Sequence, residues 1–258
     1  PHLLSGGHPG SERALERPSA VAAGLLALRP SPFVARQQER AHLLELIHSI
    51  GETHAGFMAL RGAGRPKSAP RRHFVMLDGE AGVGKSRLAE WLVEEVHERA
   101  IMTPLRARYR KLAAVNDGVV GAVMQHYRLE KAERDVVEKV LMNHWGVGPE
   151  DDDGTTWVAA AAEWMKPEAP TSKVVGPTGK RFALDRPELR WLVVRRVLER
   201  LGQERPILLW MDDLHLAPPT TFEGLVRVFK DSVGLSLLVI ATARAEALEA
   251  DPQTAERL

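Results

Sequence analysis

The 258-residue chain is long enough for one or two domains, and its 44% hydrophobic and 27% charged residues allow a sizeable core of ordinary globular type. With no cysteine, a disulfide framework and any cysteine-based zinc site are excluded, and a cytoplasmic location is expected. The net charge of +1 supplies no field toward nucleic acid or membrane, and no apolar run approaches bilayer-spanning length.

Residues 1–32 are rich in Gly, Pro, Ser and Ala and read as a linker or weakly ordered lead-in. Ala20 to Leu28 lacks a basic leader and a cleavage site, so it is not read as a signal peptide. The start at Pro1 rather than Met leads us to expect an excised or processed piece of something longer. After Phe33-Val34-Ala35-Arg36, Leu43, Leu44, Ile47 and Ile50 form the stripe of a helix over Gln37 to Ile50. Gly51 to Arg72 is expected to be mostly loop, with the basic stretch Arg61 to Lys67 solvated. His73 to Leu77 reads as a strand. Leu88, Ala89, Leu92, Val93 and Val96 then mark one face of a helix.

Leu105 to Arg110 alternates with period two, which predicts a strand whose arginines line a solvated edge. Val119 to Tyr127 and Leu129 to Asn143 read as two short helices. The acidic run Glu150 to Gly154 does not fit a calcium loop, because Pro149 and Ala160 stand at the first and last ligand positions. A surface turn is expected there, then a helix over Trp157 to Met165. Prolines 167, 170 and 177 break the next segment, and Gly176 to Lys180 has the wrong spacing for a phosphate loop.

Asp185-Arg186-Pro187-Glu188 predicts a capped helix start, with Leu189, Leu192, Val193, Val197 and Leu201 inward. The arginines 190, 195, 196 and 200 are expected mostly outside. Pro206 to Asp213 is an apolar run ending in acids, the pattern of a buried parallel strand. Thr220 and Glu223 predict a capped helix with Phe222, Leu225, Val226 and Phe229 inward. Leu235 to Ala241 is a further strand, running into Thr242-Ala243-Arg244.

Strands alternating with helices predict an α/β fold: a three-layer α/β/α sandwich with a mostly parallel sheet, of the P-loop NTPase type, over residues 33–258. In such sheets ligands bind at the C-terminal strand edge. Gly79-Glu80-Ala81-Gly82-Val83-Gly84-Lys85-Ser86 sits between strand and helix and fits the phosphate-binding pattern G-x-x-x-x-G-K-[ST]. Its glycines let backbone N–H groups approach an anion, and the helix N-terminus adds positive potential. Lys85 is placed for the β- and γ-phosphates, Arg87 adjoins them, and Ser86 and Asp212 are candidate Mg²⁺ ligands. Asp213 is the candidate for orienting or deprotonating a water, and Arg244 for sensing the γ-phosphate. No guanine-reading Asn-Lys-x-Asp stretch is present, so ATP or ADP is the expected nucleotide.

Phe33-Val34-Ala35-Arg36, the phosphate loop, Leu209 to His215 and Ile240 to Arg244 occur in an order that resembles the STAND-type AAA ATPases of large bacterial regulators. The resemblance implies that the backbone around Val34 and Arg36 packs on adenine, with Ala35 and Gln37 standing where the family has Gly and Glu. It implies a slow ATPase acting as a switch, served by protein partners or adjacent domains and by nucleotide-dependent self-association. A winged-helix lid is expected beyond Arg244, and residues to 258 leave no room for it. Two other readings remain open at this point: a remodelling or origin-binding AAA+ ATPase, and a scaffold domain that binds nucleotide without turning it over.

Overall fold

A computed structural model describes residues 36–60, 70–112, 114, 116–168 and 176–250. The expected lead-in, Val34 and the basic stretch at 61–67 lie outside the described residues. The chain divides at Ala35, and all that follows concerns the unit from Arg36 onward.

Among the described residues four strands form one parallel sheet: β1 (Arg72–Leu77), β2 (Thr103–Arg108), β3 (Ile207–Asp212) and β4 (Leu237–Thr242). Their order is β1-β4-β3-β2, with Leu77 opposite Thr242 and Arg108 opposite Asp212. The central strands β3 and β4 are apolar on both faces because both faces are covered, as a parallel sheet requires. Leu209, Met211, Val239 and Ala241 join one large core with the helices α3 (Val119–His126), α5 (Asp152–Met165), α6 (Pro187–Leu201) and α7 (Pro219–Asp231). Side chains alternate along a strand, so Leu208, Trp210, Leu238 and Ile240 face the other way. That is the side of α1 (Gln37–Leu60) and α2 (Lys85–Glu98), whose Ile47, Ile50, Leu88 and Leu92 are fully buried. The three-layer sandwich is therefore as predicted.

Several local expectations are corrected. Gly51 to Leu60 is not loop but the second half of α1. The inward stripe continues through His54, a buried polar residue that breaks the apolar pattern in the sequence. The helix expected from Leu129 starts instead at Arg134, as α4 (Arg134–Trp145). Arg128 takes a positive φ of 58° directly after α3, which ends that helix and turns Leu129 into the core. The acidic run is not a free turn: Asp151 caps α5, its carboxylate accepting from Gly154 N at 2.9 Å, and Asp152 and Asp153 form the first turn.

Asp185 does not cap α6, which starts after Arg186 with no side-chain cap. The face of α6 is also rotated: Val194 and Leu198 are buried while Leu192 is exposed. Thr220 lies inside α7, because consecutive prolines 218 and 219 set the start two residues earlier than a cap at Thr220 would, and Val226 points outward. In both helices the neighbouring surfaces, not the local capping signal, chose the buried side. The Gly176–Lys180 turn is held by the fold's interior: Glu138, 0% exposed, accepts from both the N–H and the hydroxyl of Thr178 at 3.0 and 2.9 Å.

Candidate functional site

The loop after β1 turns at Gly79, Gly82 and Gly84, with φ of 132°, 83° and 89°. Gly84 is the residue before α2 and has nothing within 4 Å of where a Cβ would stand. The loop needs glycine there for its backbone angle rather than for space. The turn aims the first N–H groups of α2 into the crevice at the C-terminal end of the sheet.

Lys85 is 8% exposed and folds back across its own loop, donating to the carbonyls of Gly79 and Glu80 at 2.6 and 2.7 Å. Gly79 O also accepts from Ala245 N at 3.2 Å, which ties the loop to the segment after β4. Arg36 reaches the loop from outside the sheet, its Nη2 donating to Val83 O at 2.6 Å. Arg36 thus stands against the phosphate loop itself, while its companion Val34 is outside the described residues.

From β3 comes Asp212, 126 residues away in sequence, with Oδ1 accepting from Ser86 Oγ at 3.4 Å. The same oxygen accepts from Thr242 Oγ1 at 3.0 Å, and that hydroxyl in turn accepts from Asp213 N at 3.0 Å. One threonine at the end of β4 therefore orients both acids. Asp213 adopts φ 56°, a left-handed conformation that turns its side chain away from the strand direction. Its Oδ1 lies 4.0 Å from Arg244 Nε and 4.0 Å from His215 Nδ1. Burial holds the His215 imidazole below its usual pKa; the nearby Asp213 charge opposes this, and Arg244 and Lys85 reinforce it.

These groups surround a cavity of about 310 Å³, lined by Ala81, Gly82, Gly84, Lys85, Ser86, Arg87, Asp213, Thr242 and Arg244. Its size is at the lower end of small-molecule sites. A crevice of about 420 Å³ beyond β2, walled by Tyr109, Trp164 and Trp191, is larger but holds none of the phosphate-loop groups. The donor set suits a hard divalent cation: a hydroxyl and a carboxylate oxygen, already within hydrogen-bond reach, beside loop amides that suit phosphate. The residues present therefore fit Mg²⁺ and a nucleotide.

The structure also brings in residues that the sequence reading passed over. β2 is an edge strand on which Arg108 is exposed as expected, but Arg106 is drawn into the site. Arg106 Nη2 lies 2.8 Å from Asp212 Oδ2, its Nη1 3.5 Å from Glu90 of α2, and its guanidinium 3.7 Å above the Trp210 ring. Arg108 Nε is 3.9 Å from the same Asp212 oxygen. The signal in the sequence was the alternation of Arg106 and Arg108, but only the pairing of β2 with β3 aims it at Asp212.

A parallel sheet carrying a glycine-rich loop into a helix at its C-terminal edge, with an acid from the neighbouring region of the sheet facing the loop's hydroxyl, defines a P-loop NTPase. Residues 58–240 match the family model of the AAA ATPase domain (AAA_16), and the chain belongs to that family. Among solved structures it is similar to the crystal structure of Cdc6p from Pyrobaculum aerophilum, with 13% identity and a TM-score of 0.42. That match covers 88% of this chain and 45% of that one, so the chain spans less than half of that chain's length. No curated protein matches significantly. Among the described residues no helix is long and apolar enough to cross a membrane.

Proposed function

We propose that this domain is a nucleotide-operated regulatory switch that binds Mg·ATP or Mg·ADP at Gly79–Arg87 and hydrolyses ATP slowly. The observation that carries the reading is the meeting of Ser86 with Asp212 over the cavity that Lys85 and the loop glycines line. Lys85 exchanges the carbonyls of Gly79 and Glu80 for phosphate oxygens, and the N–H groups at the start of α2 complete the cradle. Bound Mg²⁺ supplies charge neutralisation, and Ser86 and Asp212 would hold it. Asp213 takes the proton of a water as that water's oxygen bonds to the γ-phosphorus and the bond to the β-phosphate oxygen breaks. An Asp is short for this work, and Arg244 and His215 share its carboxylate, which supports slow turnover. Arg244 sits where a γ-phosphate could draw it off Asp213, and Arg36 where it can register the loop's shape. Signalling partners and self-association belong to the same proposal: a slow ATPase is useful to a larger assembly as a timer of its state.

The test is titration of a fluorescent ATP analogue with Mg²⁺ present. Lys85→Ala should abolish binding, and Asp213→Asn should leave binding intact while lowering single-turnover hydrolysis. Equal affinity of wild type and Lys85→Ala would remove the proposed site. Unchanged turnover in Asp213→Asn would remove Asp213 as the base. Binding without turnover in wild type would support the scaffold reading, and ATP-driven ring assembly would support a remodelling ATPase.

A further inference from the structure

The fixed partner of Asp212 is a cation that belongs to the chain. Arg106 is 27% exposed and held by three groups from two elements: Asp212 and the face of Trp210 on β3, and Glu90 of α2. A guanidinium stacked on an indole and bridging two carboxylates is a pre-organised fixture rather than a surface charge. It engages Asp212 Oδ2, whereas Thr242 and Ser86 engage Oδ1. The carboxylate is thus divided: one oxygen faces the phosphate loop, and the other is committed to an arginine. Arg108, 3.9 Å from Oδ2, adds a second positive charge on that side.

We propose that Arg106 acts as a resident counter-ion that suppresses binding of a divalent cation to Asp212 until nucleotide phosphates arrive. The proposal rests on the reading of Asp212 as a metal ligand and concerns the order in which the site fills. A free carboxylate beside Ser86 would attract a divalent cation from solution. With Arg106 paired to it, Asp212 carries little net charge toward the cavity, and the phosphates must supply the missing attraction. Metal therefore enters with the nucleotide and not before it. Arg106 is a positioning residue in this scheme, since it acts only through Asp212. Glu90 gives its guanidinium a second carboxylate, so the arginine stays in place after the cavity fills.

The experiment uses Mn²⁺ as the probe, with the free-ion paramagnetic signal reporting what is bound, in the absence of nucleotide. Arg106→Met should tighten Mn²⁺ binding about tenfold, because a positive charge next to the site is gone. Arg106→Lys, which keeps the charge without the planar fork, should stay nearer to wild type than Arg106→Met. Arg106→Met/Asp212→Asn should lose the gain. If Arg106→Met melts well below wild type, Arg106→Gln keeps a hydrogen bond to Asp212 without the charge and should show the same tightening. An affinity for Mn²⁺ that is unchanged or weakened in both neutral variants overturns the proposal. A purely structural role predicts weakening, so the direction itself decides. Failure of wild type to bind ATP would overturn the nucleotide-switch reading, while the Mn²⁺ comparison would still judge Arg106.

Discussion

Thr242→Val isolates the hydroxyl that orients both acids. The residue is 2% exposed, and valine has nearly the same shape and the same branching, so strand propensity and packing are kept. Two hydrogen bonds are lost: the donation to Asp212 Oδ1 at 3.0 Å and the acceptance from Asp213 N at 3.0 Å. A bond to a charged group is worth about 1.5–3 kcal/mol and a neutral one about 0.5–1.5 kcal/mol. Asp212 is partly screened and keeps Arg106, which places the expected loss near the lower end, about 2–3 kcal/mol. The assay is urea unfolding followed by tryptophan emission, with Thr242→Ser as the control. Serine keeps the hydroxyl and deletes one methyl, so it should lose only about 1 kcal/mol. Asp213 loses the bond that anchors its left-handed backbone, so single-turnover hydrolysis should also fall in the valine variant and not in the serine one. A valine variant within about 1 kcal/mol of wild type, or no worse than serine, would refute the assignment of Thr242 as the shared anchor.

Glu138→Ala should destabilise by about 1–3 kcal/mol, because it removes a fully buried carboxylate that pairs with Arg134 and accepts from the N–H and hydroxyl of Thr178, while Arg134 keeps Glu163, Glu168 and the Ala159 carbonyl. Thermal or urea unfolding measures this, and a change below about 1 kcal/mol would show that the pair is dispensable. Stability should also fall on mild acidification. Burial lowers the pKa of His54, and burial together with His144 lowers that of His126, in each case from 6.5. The unfolded chain then binds protons first, so this contribution is complete above pH 6.5 and is lost as pH falls through the lowered folded values. The urea midpoint should drop between neutral pH and the acid side of that window, less steeply in His54→Leu; a rise would contradict the sign.

The glycine-rich loop between strand and helix was legible because a short contiguous run encodes it. Gly79 to Ser86 carries its own turn angles, its own lysine and its own helix start, and strand periodicity placed it at a sheet edge. The alternation of strands and helices likewise settled the three-layer class. Where local signals competed with surroundings, the reading slipped. His54 hid the continuation of α1, and the capping patterns at Asp185 and Thr220 gave way to neighbouring prolines and to the faces α6 and α7 bury.

The sequence by itself determined the shape of the loop, because its turns run through adjacent residues and their backbone. Only the tertiary structure decided how the second half of the site is tuned. Ser86, Arg106, Asp212 and Thr242 sit on four different elements, and the strand order β1-β4-β3-β2 is what puts an arginine on one side of Asp212 and a threonine on the other. Charge pairing depends on distance through space, and no spacing along the chain reports it.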